Sequence, residues 1–158
     1  MEEFDSIDRA ILAELQRDAS RSIQEIAGAV GLSQNPCWRR IKRLEACGVI
    51  QGRVAILDPE KLGVGITVFV SVRTSQHNEA WLRRFASGVM EIPEVVELYR
   101  MSGDVDYLLK VLVADIAEYD RIYKRLIEVA ELYDVSSSFA MERIKYTTAI
   151  PLRADAAP

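Results

Sequence analysis

Residues 22–44, SIQEIAGAVGLSQNPCWRRIKRL, decide the amino-terminal half of this chain. Ser22 followed three residues later by Glu25 is the pattern of a reciprocal helix cap. Ile23, Ile26, Ala27 and Val30 then recur at helical spacing and define one inward face. Gly31 sits where a helix end requires positive φ, and Ser33 is placed to cap a second helix whose first turn tolerates Pro36. At 100° per residue, Cys37, Ile41 and Leu44 share one face of that second helix. Asn35, Arg39 and Lys42 cluster on the other, next to Gln34 at the start and flanked by Trp38 and Arg43. Two short helices joined by a tight glycine turn, the second basic outside and apolar inside, suit the major groove of double-stranded DNA.

A solvated charge run is the competing reading of RRIKR, and taken alone such a run rarely means more. The cap, the glycine turn and the polar start of the second helix favour DNA. Downstream, residues 48–54, GVIQGRV, suggest the first strand and turn of a small β wing, from which Arg53 could reach a phosphate. Net charge is −4 over 158 residues, yet the stretch 34–53 carries a local excess of four positive charges. Screening acts over about 8 Å at physiological salt, so one basic edge can bind DNA on an acidic protein.

Working outward, Asp5 or Ser6 can cap an earlier helix whose Ile7, Ile11, Leu12 and Leu15 form an apolar stripe. Three helices and a wing are thus expected by residue 57. Asp58-Pro59 breaks the pattern and Gly63 and Gly65 mark a connection, so a boundary is expected near residue 60, between domains 1–60 and 61–158.

Beyond it, Ile66, Val68, Val70 and Val72 alternate as a strand with one buried face. Trp81, Phe85 and Val89 return to helical spacing. Strands are expected near 95–101 and 107–113 around the polar turn SGDVD, then a helix over 117–127 with Ile116, Tyr119, Tyr123 and Leu126 on one side. Val135, Ser137, Phe139 and Met141 alternate as a last strand. The order βαββαβ is a ferredoxin-like domain, so the fold class is α+β, with a four-stranded antiparallel sheet carrying two helices on one face. Phe69 and Ser71, with Leu98 and Leu108 or Leu109, are expected to leave the other face partly apolar. Such a face favours a homodimer.

Composition excludes several classes. No apolar run approaches the ~20 residues that span a bilayer, so no membrane role is expected. The acidic, polar start MEEFDSIDR is not a secretory signal, and Cys37 and Cys47 have no CxxC partner. A cytoplasmic protein is expected, with both cysteines as small core residues and no metal site. The single histidine, His77, has no nucleophile at recognisable spacing, so neither a catalytic triad nor a cofactor is expected. An amino-acid-binding module or small metabolic enzyme remains the alternative, because ferredoxin-like sheets host many functions.

Three ordered stretches carry a family resemblance: VGLSQNPCWRRIKRLEACGVIQG (30–52), MSGDVDYLLKV (101–111) and SSSF…IKYTT…PL (136–152). With FDSIDRAILAELQRDAS (4–20) they cover nearly the whole chain, which resembles the Lrp/AsnC transcription regulators. The resemblance implies an amino-terminal winged helix-turn-helix, a carboxyl-terminal ferredoxin-like domain, and dimers that often assemble into octamers. It also implies a free amino acid effector bound in the carboxyl-terminal domain between dimers. Carried onto this chain, the effector segment is Met101, Gly103, Asp104, Asp106 and Tyr107, with Ser136 and Ser137 on the last strand as a second contact. Gly103 can expose backbone N–H groups to a carboxylate, and Asp104 or Asp106 can accept from an ammonium. The same aspartates would also serve an ordinary hairpin turn. Trp38, where many members carry Leu, and the HNEAW segment (77–81) place the resemblance nearest a cysteine-responsive branch, which makes cysteine the first effector to consider.

Overall fold

A computed structural model describes residues 4–152. The chain divides into two compact units, with a break between Ala55 and Ile56. The tail from Lys145 groups with the first unit and not with the sheet domain that precedes it in sequence. Gln16 accounts for this locally: its Oε1 accepts from Ile150 N at 2.6 Å and its Nε2 donates to Ile150 O at 3.2 Å. One primary amide thereby satisfies both polar groups of a tail residue.

The first unit holds α1 (Ser6–Arg17), α2 (Ile23–Ala29) and α3 (Gln34–Ala46). Asp5 is the cap of α1, and its partner in the capping box is Asp8. Ser22 and Glu25 form the expected box at α2, and the Glu25 carboxyl is held below its usual range by bonds from the Ser22 hydroxyl and N–H. Gly31, at φ 71°, ends α2 in a Schellman turn: Leu32 N reaches Ala27 O at 2.9 Å and Gly31 N reaches Gly28 O. Ser33 precedes α3 with extended backbone but makes no side-chain cap bond. Pro36 occupies the third helical position and has no N–H to offer it.

Ile11, Leu12, Ile26, Ala27, Cys37, Ile41 and Leu44 are the buried core of this unit. Burial raises the Cys37 thiol pKa, which keeps the sulfur protonated. Cys47 lies outside this core, exposed at the end of α3, contrary to the expectation for it. The expected wing is also corrected. Residues 48–65 contain no strand, and Val54, Ile56 and Leu57 are exposed. A hairpin needs a laddered partner strand, and residues 51–57 have none among the described residues.

The second unit holds β1 (Ile66–Arg73), α4 (Glu79–Met90), β2 (Val95–Arg100), β3 (Tyr107–Val113), α5 (Ile116–Val129) and β4 (Asp134–Phe139). The strands form one antiparallel sheet in the order β2-β3-β1-β4. Val68, Val70 and Val72 pair with Val111, Leu109 and Tyr107, and all six face the helices. Trp81 and Phe85 stack at 4.9 Å and both rings contact Tyr107. On α5 the buried residues are Tyr119, Ile122 and Leu126, while Ile116, expected inside, is exposed. Gly88 on α4 sits so close to Val129 that an added Cβ would overlap its methyls.

The other face carries Phe69, Ser71, Leu108 and Lys110, by the registers Phe69↔Lys110 and Ser71↔Leu108. Leu98 and Leu109, paired with each other, lie on the helix side instead. A bulge between Val95 and Glu97 shifts the alternation of β2, so Val95 and Leu98 both turn inward. No helix among the described residues is long and apolar enough to cross a membrane.

Candidate functional site

Each unit presents one candidate site. In the first, α3 buries Cys37, Ile41 and Leu44 and exposes Gln34, Asn35, Trp38, Arg39, Lys42 and Arg43. Trp38 is 46% exposed, a large apolar surface beside the polar face. The cations of the run differ in what holds them. Arg40 donates to Asp5 at 2.7 Å and to Asp8 at 2.8 Å, and Arg43 donates to the other oxygen of Asp8. Those bonds raise both guanidinium pKa values, while the Asp5 carboxyl is lowered chiefly by Asp8 N–H and then by Arg40. Lys42 and Arg53 both bond Glu45, at 2.8 Å and 3.0 Å, and Lys42 holds that carboxyl low. Among the described residues, no hydrogen bond or ion pair engages Arg39. Gln34, Asn35, Trp38 and Arg39 are therefore the unencumbered members of the expected DNA set, whereas Lys42, Arg43 and Arg53 are engaged within the unit.

In the second unit the SGDVDY segment closes the β2-β3 hairpin. Gly103 has φ 113°, a conformation that L side chains rarely adopt. Met101 N donates to Asp106 O at 2.8 Å, and Asp106 N donates to Val72 O at 3.0 Å. The Asp106 carboxylate accepts from Thr74 N at 2.8 Å through Oδ2, while Oδ1 lies 3.8 Å from His77 Nδ1. This side chain thus fastens the end of β1 to the hairpin and turns its second oxygen toward a cleft of about 250 Å³. Gln76, His77, Glu79, Arg100, Met101 and Tyr107 are among the residues lining that cleft with Asp106.

The expected effector residues do not all meet there. Met101, Asp106 and Tyr107 line the cleft. Gly103 and Asp104 lie on the exposed turn and are not part of its wall. Ser136 and Ser137 sit on β4, on opposite faces of the sheet: Ser136 pairs with Ser71, and Ser137 with Val70. Ser137 Oγ is already bonded to the Tyr119 hydroxyl, whose pKa burial raises. Sequence reasoning missed Gln76, His77 and Arg100 as cleft residues. Their one local signal is Asn78, which caps α4 through Trp81 N at 2.9 Å and so fixes the approach of residues 76–77.

Residues 4–45 match the AsnC-type helix-turn-helix domain, and residues 67–150 match the Lrp/AsnC ligand binding domain. The DNA-binding transcriptional activator DecR of Escherichia coli K12 is 53% identical over 150 residues, covering 94% of this chain and 99% of its own. A crystal structure of an AsnC family transcriptional regulator from Agrobacterium tumefaciens superposes with a TM-score of 0.91 at 58% identity, over 94% of this chain and 97% of that one. A Neisseria meningitidis transcriptional regulator solved as an L-Met complex gives 0.89 at 31% identity, with the same coverage.

The two roles available to the aspartates separate in stability. Asp106→Ala leaves Thr74 N without its partner and should destabilise the protein by about 1–3 kcal/mol, read by urea unfolding. Asp104→Ala, on the exposed turn, should stay within about 0.5 kcal/mol of wild type. Equal, small effects would contradict the fastening role of Asp106.

Two domain matches that together span most of the chain, and a relative sharing half its residues, establish that this chain belongs to the Lrp/AsnC family of transcription regulators.

Proposed function

We propose that this protein is a sequence-specific DNA-binding transcription regulator in which α3 enters the major groove and the sheet domain takes up a free amino acid. The observation that carries the DNA half is the exposed Arg39, unpartnered among the described residues, on a helix whose opposite face is buried. Gln34 and Asn35 lie at the amino-terminal end of α3, which is where a recognition helix contacts base edges. Trp38 flanks them. Lys42 and Arg53 serve phosphates in this reading, because their exposed pairs with Glu45 are worth little and exchange readily. Such a role places the protein in the cytoplasm with the chromosome.

For the effector, the cleft and the SGDVDY turn together offer each end of a zwitterion its opposite charge. The ammonium meets Asp106 Oδ1 or Asp104, and the carboxylate meets backbone N–H groups at Gly103 or the Arg100 guanidinium. Met101 and Tyr107 give the ligand side chain an apolar wall. The L-Met complex of the Neisseria relative supports a free amino acid as the class. Cysteine is the first candidate for this chain, with aliphatic and aromatic amino acids next, and Ser136 is available as a contact from a neighbouring subunit.

Arg39→Ala should cost about 1–3 kcal/mol in DNA affinity and relax specificity at one base position, while Lys42→Ala should weaken all sequences alike and flatten the salt dependence. Quantitative mobility shifts across a randomised site library check both. Unchanged affinity in the Arg39→Ala/Lys42→Ala double variant would sink the assignment of α3.

A second copy of the chain covers the open sheet face, where Phe69 is 39% and Tyr99 51% exposed, and dimers join further, up to an octamer. Light scattering at micromolar concentration should give more than one subunit per particle, and Phe69→Glu should shift it toward single subunits. A wild type that scatters as a monomer would contradict this assembly.

A further inference from the structure

Among the described residues, Asp8 is the one charged side chain buried in the first unit, 1% exposed, and it stands on α1. Its two oxygens hold two guanidinium groups from α3: Arg40 on one, Arg43 on the other. Asp5 doubles the hold on Arg40. The same two aspartates form the capping box of α1, with Asp8 N donating to Asp5 at 2.8 Å and Asp5 N to Asp8 at 3.2 Å. One end of α1 is therefore bound to the middle and end of α3 through charge-assisted bonds spanning 32 and 35 residues of sequence.

Burying a carboxylate away from water is costly unless cations and N–H groups surround it. A DNA phosphate that drew Arg43 away would leave Asp8 buried and short of a partner. The Lys42–Glu45 and Arg53–Glu45 pairs carry no such penalty, because Glu45 is accessible to water. The five cations of this stretch are thus unequal: Arg40 and Arg43 are locked, and Arg39, Lys42 and Arg53 can be recruited.

We propose that Asp8, assisted by Asp5, is a positioning residue for DNA recognition that fixes the rotation of α3 and withholds Arg40 and Arg43 from the phosphate backbone. The inference rests on α3 being the helix that meets DNA. Its consequence is functional. Phosphate contacts supply sequence-independent affinity, so withholding two cations lowers non-specific binding and leaves base contacts from the Asn35–Arg39 face a larger share of the total.

The test measures DNA affinity of the full-length protein against salt concentration on a random-sequence duplex. Each phosphate contact contributes about −0.9 to the slope of log K against log salt. Arg43→Gln should leave the slope of wild type unchanged, because that cation is not on a phosphate. Asp8→Asn should steepen it by about 0.9 for each guanidinium released, with a several-fold gain in non-specific affinity. Asp8→Asn/Arg43→Gln, which restores the net charge, should lose the part due to Arg43. A flatter slope in Arg43→Gln overturns the proposal, and so does an unchanged slope in folded Asp8→Asn. A double variant as steep as Asp8→Asn alone also overturns it for Arg43. Should Asp8→Asn fail to fold, Arg43→Gln still decides whether that cation is withheld. Arg39→Gln, measured on a duplex selected by the wild type from the randomised site library, separates the two levels: if it leaves that affinity unchanged, the reading of α3 fails and takes this inference with it. If it weakens binding while Arg43→Gln also flattens the slope, only this inference fails.

Discussion

The pleat of β1 is the constraint on which the sheet domain depends. A strand turns successive side chains to opposite faces, so Val68, Val70 and Val72 must point one way while Phe69 and Ser71 point the other. The three valines receive α4 and α5 and draw Tyr107, Leu109 and Val111 to the same side. Because β1 is central, with β3 and β4 on its two flanks, its register also fixes where the β2-β3 hairpin ends. Thr74, just past that strand, is consequently the residue that Asp106 fastens. Core, open face and cleft follow from one strand's alternation, and a one-residue slip would turn all of them over.

In the first unit packing holds the helices together and an electrostatic contact ties α1 to α3. Helices as short as α2, with seven residues, are marginal alone. Apolar packing of Ile11, Ile26, Ile41 and Leu44 holds the three together, and the Asp8 pairs with Arg40 and Arg43 set the angle at which α3 leaves the core. Buried ion pairs of this kind often add little net stability, and their use is specificity of arrangement. That suits a recognition helix, whose contacts with base edges depend on its rotation.

Much of this was legible in the sequence because it is local. The Ser22–Glu25 box, the turn at Gly31, the inward set of α3 and the alternation of β1 each depend on residues a few positions apart. The family resemblance then supplied the effector segment and the higher assembly, which local patterns do not give. What was not legible is non-local. Nothing within a few residues of Arg43 says that Asp8 claims it. The bulge that turns Leu98 inward is a register event between two strands. The wing failed because a strand pattern without a laddering partner remains an extended segment. The cleft escaped notice because His77 and Arg100 come from separate segments that only the folded sheet brings together.

In the proposed regulator two sites share one equilibrium: an amino acid can alter DNA binding only by its differential affinity for two arrangements of the assembly. Linkage makes this testable without knowing those arrangements. The measurement is calorimetric titration, into the full-length protein with and without saturating DNA, of the amino acid that stabilises it most in a thermal-shift screen. A coupled regulator must bind that amino acid with an affinity that DNA changes by the same factor by which the amino acid changes DNA affinity, typically about 5- to 150-fold. Identical amino-acid affinity in both titrations would contradict the account.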